Sequence, residues 1–182
     1  KRRKRSSPKV GQSGIIRARD YEHMFNLSRA ISKQRLPDRE GVFIITYAGS
    51  LGVIAADAII DNGMRLSELE EPLKKMLMDL LPDYVCGMNP VDYTFSQDAR
   101  IVKSTIEIGV DSIDVGSFIV ILQAEILDSY VEALRSVDYR GKPIIACVAG
   151  KEFAMPDVIK IEKAGIPVFS TPEQVADALA IM

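Results

Sequence analysis

Histidine is nearly absent from this 182-residue chain, cysteine occurs twice, and no apolar run approaches the ~20 residues needed to span a bilayer. Each shortage removes a class of function. With His23 the only histidine, a histidine relay built within the chain lacks a centre, and no paired-carboxylate or Ser-His-Asp constellation is visible. His23 itself sits among Glu22, Asn26 and Ser28, which reads as a solvated helix position rather than a catalytic one. Cys86 and Cys147 are too few and too far apart for a metal site, and both are expected to stay reduced as packing residues. The basic start is not followed by an apolar signal core, so neither insertion nor secretion is indicated and a soluble, cytoplasmic protein is expected.

What is present is an apolar fraction of 47%, enough for a sizeable core in one domain, and a pronounced charge asymmetry. Residues 1–39 carry twelve Lys/Arg against three Asp/Glu; the remainder carries eleven against twenty-two. Most of the excess lies in Lys1-Arg2-Arg3-Lys4-Arg5, followed by Ser6-Ser7-Pro8 and Gly11-Gln12-Ser13-Gly14. Such a stretch buries too little apolar surface to offset its ordering entropy, so residues 1–14 are expected to form a disordered tail and residues 15–182 the domain. A nucleic-acid arm is the functional reading of the tail. The absence of interleaved aromatics and the acidic body favour a solvated tail instead.

The rest alternates between two periods. Asp20 can cap an amphipathic helix through Tyr21, Met24, Phe25, Leu27, Ala30 and Ile31, with Lys33 to Glu40 as a linker. Gly41 to Thr46 is a continuous apolar run, as in a parallel strand covered on both faces. Leu51 to Ile60 reads as helix closed by Asn62-Gly63, Met64 to Leu66 as a short edge-like strand, and Glu70 to Leu80 as helix ending before Pro82. Cys86 to Thr94, containing Asn89-Pro90-Val91-Asp92, reads as a structured loop. Helical spacing runs from Gln97 through Ile108 with Gly109 as its stop, then strand Phe118 to Leu122, helix Glu125 to Val137 and strand Ile144 to Val148. Asp157 to Ala164 is a helix stopped by Gly165, Ile166 to Phe169 a last strand, and Thr171-Pro172-Glu173-Gln174 a capping box opening the terminal helix. Strands alternating with helices predict an α/β, flavodoxin-like three-layer fold, with a five-stranded parallel sheet of order 2-1-3-4-5 and helices on both faces. A ligand crevice is then expected outside the carboxyl ends of the first and third strands.

That placement turns attention to Ala48-Gly49-Ser50-Leu51-Gly52. A strand turning directly into a helix leaves the first helical N–H groups unpaired, and the helix dipole adds partial positive charge there. Gly49 and Gly52 allow a sharp turn and close approach, and Ser50 offers a hydroxyl or an N-cap oxygen, so a phosphate or carboxylate is a natural guest. No lysine follows Gly52 and no third glycine completes a dinucleotide fingerprint. On the loop alone, glycine for helix–strand packing is the better reading. Asn89 and Asp92 divide similarly between a rigid Asx-type turn, which the chemistry favours, and a role facing the crevice.

Four stretches, taken in order, resemble the carboxy-terminal ligase domain of ADP-forming acyl-CoA synthetases (acetate-CoA ligases), relatives of succinyl-CoA synthetase. They are Gly14-Ile15-Ile16-Arg17-Ala18 with Glu22-His23-Met24-Phe25, the segment Ile44 to Ala58, Asn89-Pro90-Val91-Asp92-Tyr93-Thr94, and Ala164 to Phe169 running into Thr171-Pro172-Glu173. The resemblance implies a part in converting acyl-CoA, ADP and phosphate to acid, CoA and ATP. In that family a phosphohistidine carries the phosphoryl group and two helix N-termini cradle it; Gly49, Ser50, Leu51 and Gly52 match one of them, with Asn89 and Asp92 in a supporting loop. Family members usually show Gly-Pro where this chain has Ser50-Leu51. No catalytic residue or metal ligand is expected in this chain, and no cofactor bound by it alone. CoA, ADP/ATP and magnesium are implied for the complete enzyme. The implied partners are a CoA-binding domain bearing the histidine and an ATP-grasp domain, in an oligomer, with neither membrane nor nucleic acid. The chain is expected to be inactive alone, as an excised or separately encoded domain. The alternative is a non-catalytic binding or regulatory module on the same fold. A receiver domain is disfavoured because no acidic pair follows the first strand.

Overall fold

The computed structural model describes residues 15–93 and 98–182. The basic tail, Thr94 and the expected helix start at Gln97 lie outside the described residues. In chain order the elements are α1 (Tyr21–Lys33), β1 (Gly41–Thr46), α2 (Gly49–Asp61), β2 (Arg65–Leu66), α3 (Glu71–Leu80), β3 (Val91–Asp92), α4 (Ala99–Asp111) and β4 (Val115–Gln123). There follow α5 (Leu127–Arg135), β5 (Ile144–Ala149), α6 (Met155–Lys163), β6 (Val168–Phe169) and α7 (Pro172–Leu179), with 3-10 turns at Ala124–Ile126 and Lys151–Phe153.

All strand pairs are parallel, and the main path runs β2-β1-β4-β5-β6. This is the expected five-strand order, with one addition. Val91–Asp92 is not loop but a sixth short strand, pairing Ile45 with Val91 and Thr46 with Asp92 on the edge of β1 that β2 leaves open.

The pleat sorts alternate residues of the central strands to opposite faces. Phe43, Ile45, Phe118, Val120, Ile144 and Ala146 face one core, completed by α3 to α6. Val42, Ile44, Ile119, Ile121, Ile145 and Cys147 face the other, completed by α1, α2 and α7. Continuous apolar strands are thus the signature of a sheet buried on both sides.

Local chemistry sets most element ends. Asp20 accepts from the His23 N–H at 2.8 Å, and Gly63 and Gly165 take positive φ after their helices. Gly109 behaves differently from expectation, since α4 runs through it to Asp111. A Cβ there would stand 2.8 Å from the Phe118 ring, so this glycine lets the helix close on the sheet rather than ending it. The structure corrects two further expectations. Cys147 is buried, but Cys86 is exposed and is no packing residue. His23 is half-buried, with Nδ1 accepting the Arg19 N–H at 3.0 Å, and so belongs to the first turn of α1 rather than to solvent.

Candidate functional site

The turn from β1 into α2 is organised by a residue that reads in the sequence only as the end of a strand. The buried Thr46 hydroxyl donates to the Ala48 carbonyl at 2.7 Å and accepts from the Ala48 N–H at 3.1 Å, closing the turn with one side chain. The Thr46 methyl packs beneath α2: a Cβ on Gly52 would lie 2.7 Å from it and 3.4 Å from Pro90 Cβ. Gly52 therefore serves close helix–strand packing. α2 begins at Gly49, with Ala48 in the N-cap position and no side-chain cap. Ser50 is thus inside the first turn and exposed, not an N-cap.

Leu51 and Gly52 both donate to the Ala48 carbonyl, at 3.0 and 3.2 Å. Among the described residues, the Gly49 and Ser50 N–H groups have no backbone acceptor. They lie at the positive end of a 13-residue helix, on the carboxyl edge of the sheet. Leu51 is half-buried and packs on the core shared by α1, α2 and α7.

The structure brings only one of the two supporting residues to this turn. Asn89 does not reach it. Its amide oxygen accepts from the Ile44 N–H at 2.9 Å, while Nδ2 donates to the Val42 carbonyl at 2.7 Å and the Ser67 carbonyl at 3.0 Å. The side chain fills the gap on β1 between β2 and β3 as a peptide group would. The Asn89–Pro90 peptide is cis. Asp92, by contrast, lies against the first residue of α2, where a Cβ added to Gly49 would collide with its carboxylate.

Beneath the turn, the buried Tyr47, Tyr93 and Tyr130 form a chain of rings, with centroids 5.9 and 6.4 Å apart. Burial pushes the Tyr130 hydroxyl up to about 12 and that of Tyr93 well above its ordinary value. Both act as neutral packing groups. On the same carboxyl edge, two strands from β1, Lys151 opens the turn after β5. Burial, and then the nearby Arg29 charge, lower its pKa. Neither Thr46 nor Lys151 carries a sequence signal beyond its residue type.

The Ligase-CoA domain model matches residues 42–170, from the second residue of β1 to the turn after β6. The chain belongs to this family. It is 31% identical to the acetate–CoA ligase (ADP-forming) II subunit alpha of Pyrococcus furiosus, over 92% of this chain and 38% of that subunit. It is 29% identical to the I subunit alpha of the same organism, over 94% and 38%. The crystal structure of PH0766 from Pyrococcus horikoshii OT3 superposes with a TM-score of 0.85 at 28% identity, covering 97% of this chain and 43% of that one. This Ligase-CoA chain thus spans under half the length of these relatives.

Proposed function

We propose that this chain supplies one helix N-terminus of a phosphohistidine site in an ADP-forming acyl-CoA synthetase. The complete enzyme converts acyl-CoA, ADP and phosphate to acid, CoA and ATP. The observation that carries the reading is the start of α2: an uncapped helix end on the carboxyl edge of a Ligase-CoA domain, where among the described residues the Gly49 and Ser50 N–H groups have no backbone acceptor. Backbone donors and a helix dipole suit a dianionic phosphoryl group, each favourable helix end contributing about 0.3–1 kcal/mol. These groups need no reorganisation to meet charge, the condition under which fixed dipoles stabilise a transferring group best.

The chain's own residues bind and orient; the rest of the chemistry lies elsewhere. Among the described residues no group of three His, Cys, Asp or Glu side chains could hold a metal ion. As the family resemblance implies, magnesium and ADP/ATP are assigned to an ATP-grasp partner, CoA and the histidine to a CoA-binding partner. The related alpha subunits, by their names, are parts of ADP-forming acetate–CoA ligases, which supports a multichain or multidomain assembly.

A second reading, a regulatory module that keeps the fold, draws on Ser50 and Leu51 in place of Gly-Pro and on the carboxylate beside Gly49. The two readings part on reconstitution. Adding partners that carry the histidine and the ATP-grasp domain should give acyl-CoA-dependent ATP formation, lost in Gly49→Val. Stable binding without turnover would favour the module.

A further inference from the structure

Four Lys and Arg side chains are half-buried among the described residues: Arg29, Lys103, Lys142 and Lys151. Three of them have partners. Arg29 pairs with Glu162 and donates to the Val168 carbonyl at 2.9 Å, Lys103 pairs with Glu107 at 3.9 Å, and Lys142 donates to the Ser112 carbonyl at 2.6 Å. Lys151 has neither a hydrogen-bond acceptor nor an ion-pair partner for its amine among the described residues. Its backbone is nonetheless fixed. Gly150 before it takes a φ of 71°, the Phe153 N–H donates to the Gly150 carbonyl at 2.9 Å, and the Ala154 N–H donates to the Lys151 carbonyl at 3.1 Å. The titratable groups around the amine are Arg29 and Glu22 on α1, Cys147 on β5 and Glu152 in its own turn. Glu22 accepts from Gln174 Nε2 at 2.9 Å, Glu152 is exposed, and the Cys147 thiol, pushed up to about 12 by burial, stays neutral. An amine held partly out of water, beside a guanidinium and with no counter-charge in contact, is set up as a nucleophile.

We propose that Lys151 is a modification site, whose amine takes the acyl group of an acyl-CoA to give a neutral amide. The choice of donor rests on the function proposed above, which brings acyl-CoA to this chain as a substrate. The ammonium first loses a proton to solvent. The free amine then attacks the thioester carbonyl carbon, so that an N–C bond forms and the C–S bond breaks. CoA leaves as a thiolate and takes up the proton shed by the nitrogen. Lys33 and Lys142 provide the contrast within the same chain. Burial lowers the pKa of both, as it does for Lys151, but Lys33 donates to the Glu162 carbonyl at 3.0 Å and Lys142 to the Ser112 carbonyl. Each must give up a charged hydrogen bond to react, and Lys151 gives up none. The amide removes one positive charge from the carboxyl edge on which α2 begins, so the edge that the proposed function uses loses charge as acyl-CoA accumulates.

The test incubates the full chain alone with acetyl-CoA and follows acetylation at each lysine by mass spectrometry of its peptides, in the folded chain and in urea. In the folded chain Lys151 should react at least about tenfold faster than Lys33 and Lys142, and the preference should vanish in urea. Lys151→Arg, which keeps the charge, should remove the fastest phase of acetylation seen in the intact mass. A smaller preference for Lys151 in the folded chain, or one that persists in urea, would overturn the inference. No partner is required, so the two readings fail separately. Selective acetylation of Lys151 beside a reconstitution without turnover would leave the modification site standing and remove the function. Turnover with no preference for Lys151 would do the reverse.

Discussion

At the scale of single residues, Asn89 shows how much one side chain can hold. Its amide bonds three backbone groups, two on β1 and one just beyond β2, where β2 ends and β3 has not yet begun. Truncation takes the acceptor from the Ile44 N–H and a donor from the Val42 and Ser67 carbonyls, although the Val42 carbonyl keeps the Ser67 N–H at 3.0 Å, and each unpaired group costs about 1 kcal/mol or more. Asn89→Ala is therefore expected to destabilise the chain by about 2–4 kcal/mol in urea unfolding, whereas Asp92→Asn should stay within about 1 kcal/mol of wild type. The Asn-Pro-Val-Asp segment is visible in the sequence as an ordered feature, but its two polar residues do different jobs. Turn chemistry suggests rigidity for both; only the strand register shows that Asn89 serves the sheet and Asp92 the helix end. Thr46 was illegible for a related reason, because a threonine ending a strand is ordinary until its hydroxyl is seen to close the next turn.

At the scale of elements, patterns that depend on nearest neighbours read well. Thr171 accepts the Gln174 N–H at 3.3 Å, and Gln174 reaches back to the Ser170 N–H at 3.1 Å, so the capping motif opens α7 as its spacing suggests. What the sequence leaves hidden is how α1 is held. Arg29 pairs with Glu162 on α6, donates to the Val168 carbonyl at 2.9 Å and lies 5.3 Å from the Phe169 ring centroid, tying α1 to α6 and to the edge strand β6. Such contacts join residues more than 130 positions apart, beyond any local spacing rule. Arg29→Ala should lower stability by about 1–3 kcal/mol and hasten amide exchange in α1 and β6, with β1 and β4 less affected. Equal loosening of the whole sheet would contradict this anchoring role. Gly109 and Val91–Asp92 were misread at this scale because packing, not propensity, decides them: a glycine can serve a close ring contact, and two residues can pair only where an edge happens to be open.

At the scale of the whole molecule, two buried cores on either side of one sheet explain both the stability and the placement of the site. Groups sealed in those cores resist ionisation. Burial pushes Tyr130 up from 10.0 to about 12, and Cys147 from 9.0 to about 12. Each binds its proton more tightly folded than unfolded, so its contribution is intact below pH 9 and is lost as pH rises from about 9 towards 12. The melting temperature should accordingly fall across that window; a melting temperature unchanged between pH 9 and pH 12 would contradict it. The layer order was legible because every central strand is apolar on both faces, and the same order puts the β1 turn at the carboxyl edge. The competence of that turn was not legible, since it depends on a helix end, a neighbouring carboxylate and partners outside the chain.

The central claim is that the start of α2 works on a phosphoryl group brought by other domains. The direct measurement is the initial rate of acyl-CoA-dependent ATP formation by partners carrying the histidine and ATP-grasp domains, with this chain omitted, added, or added as folded Gly49→Val. The account predicts ATP formation only with the wild-type chain. Full activity with Gly49→Val, or with the chain left out, would contradict it.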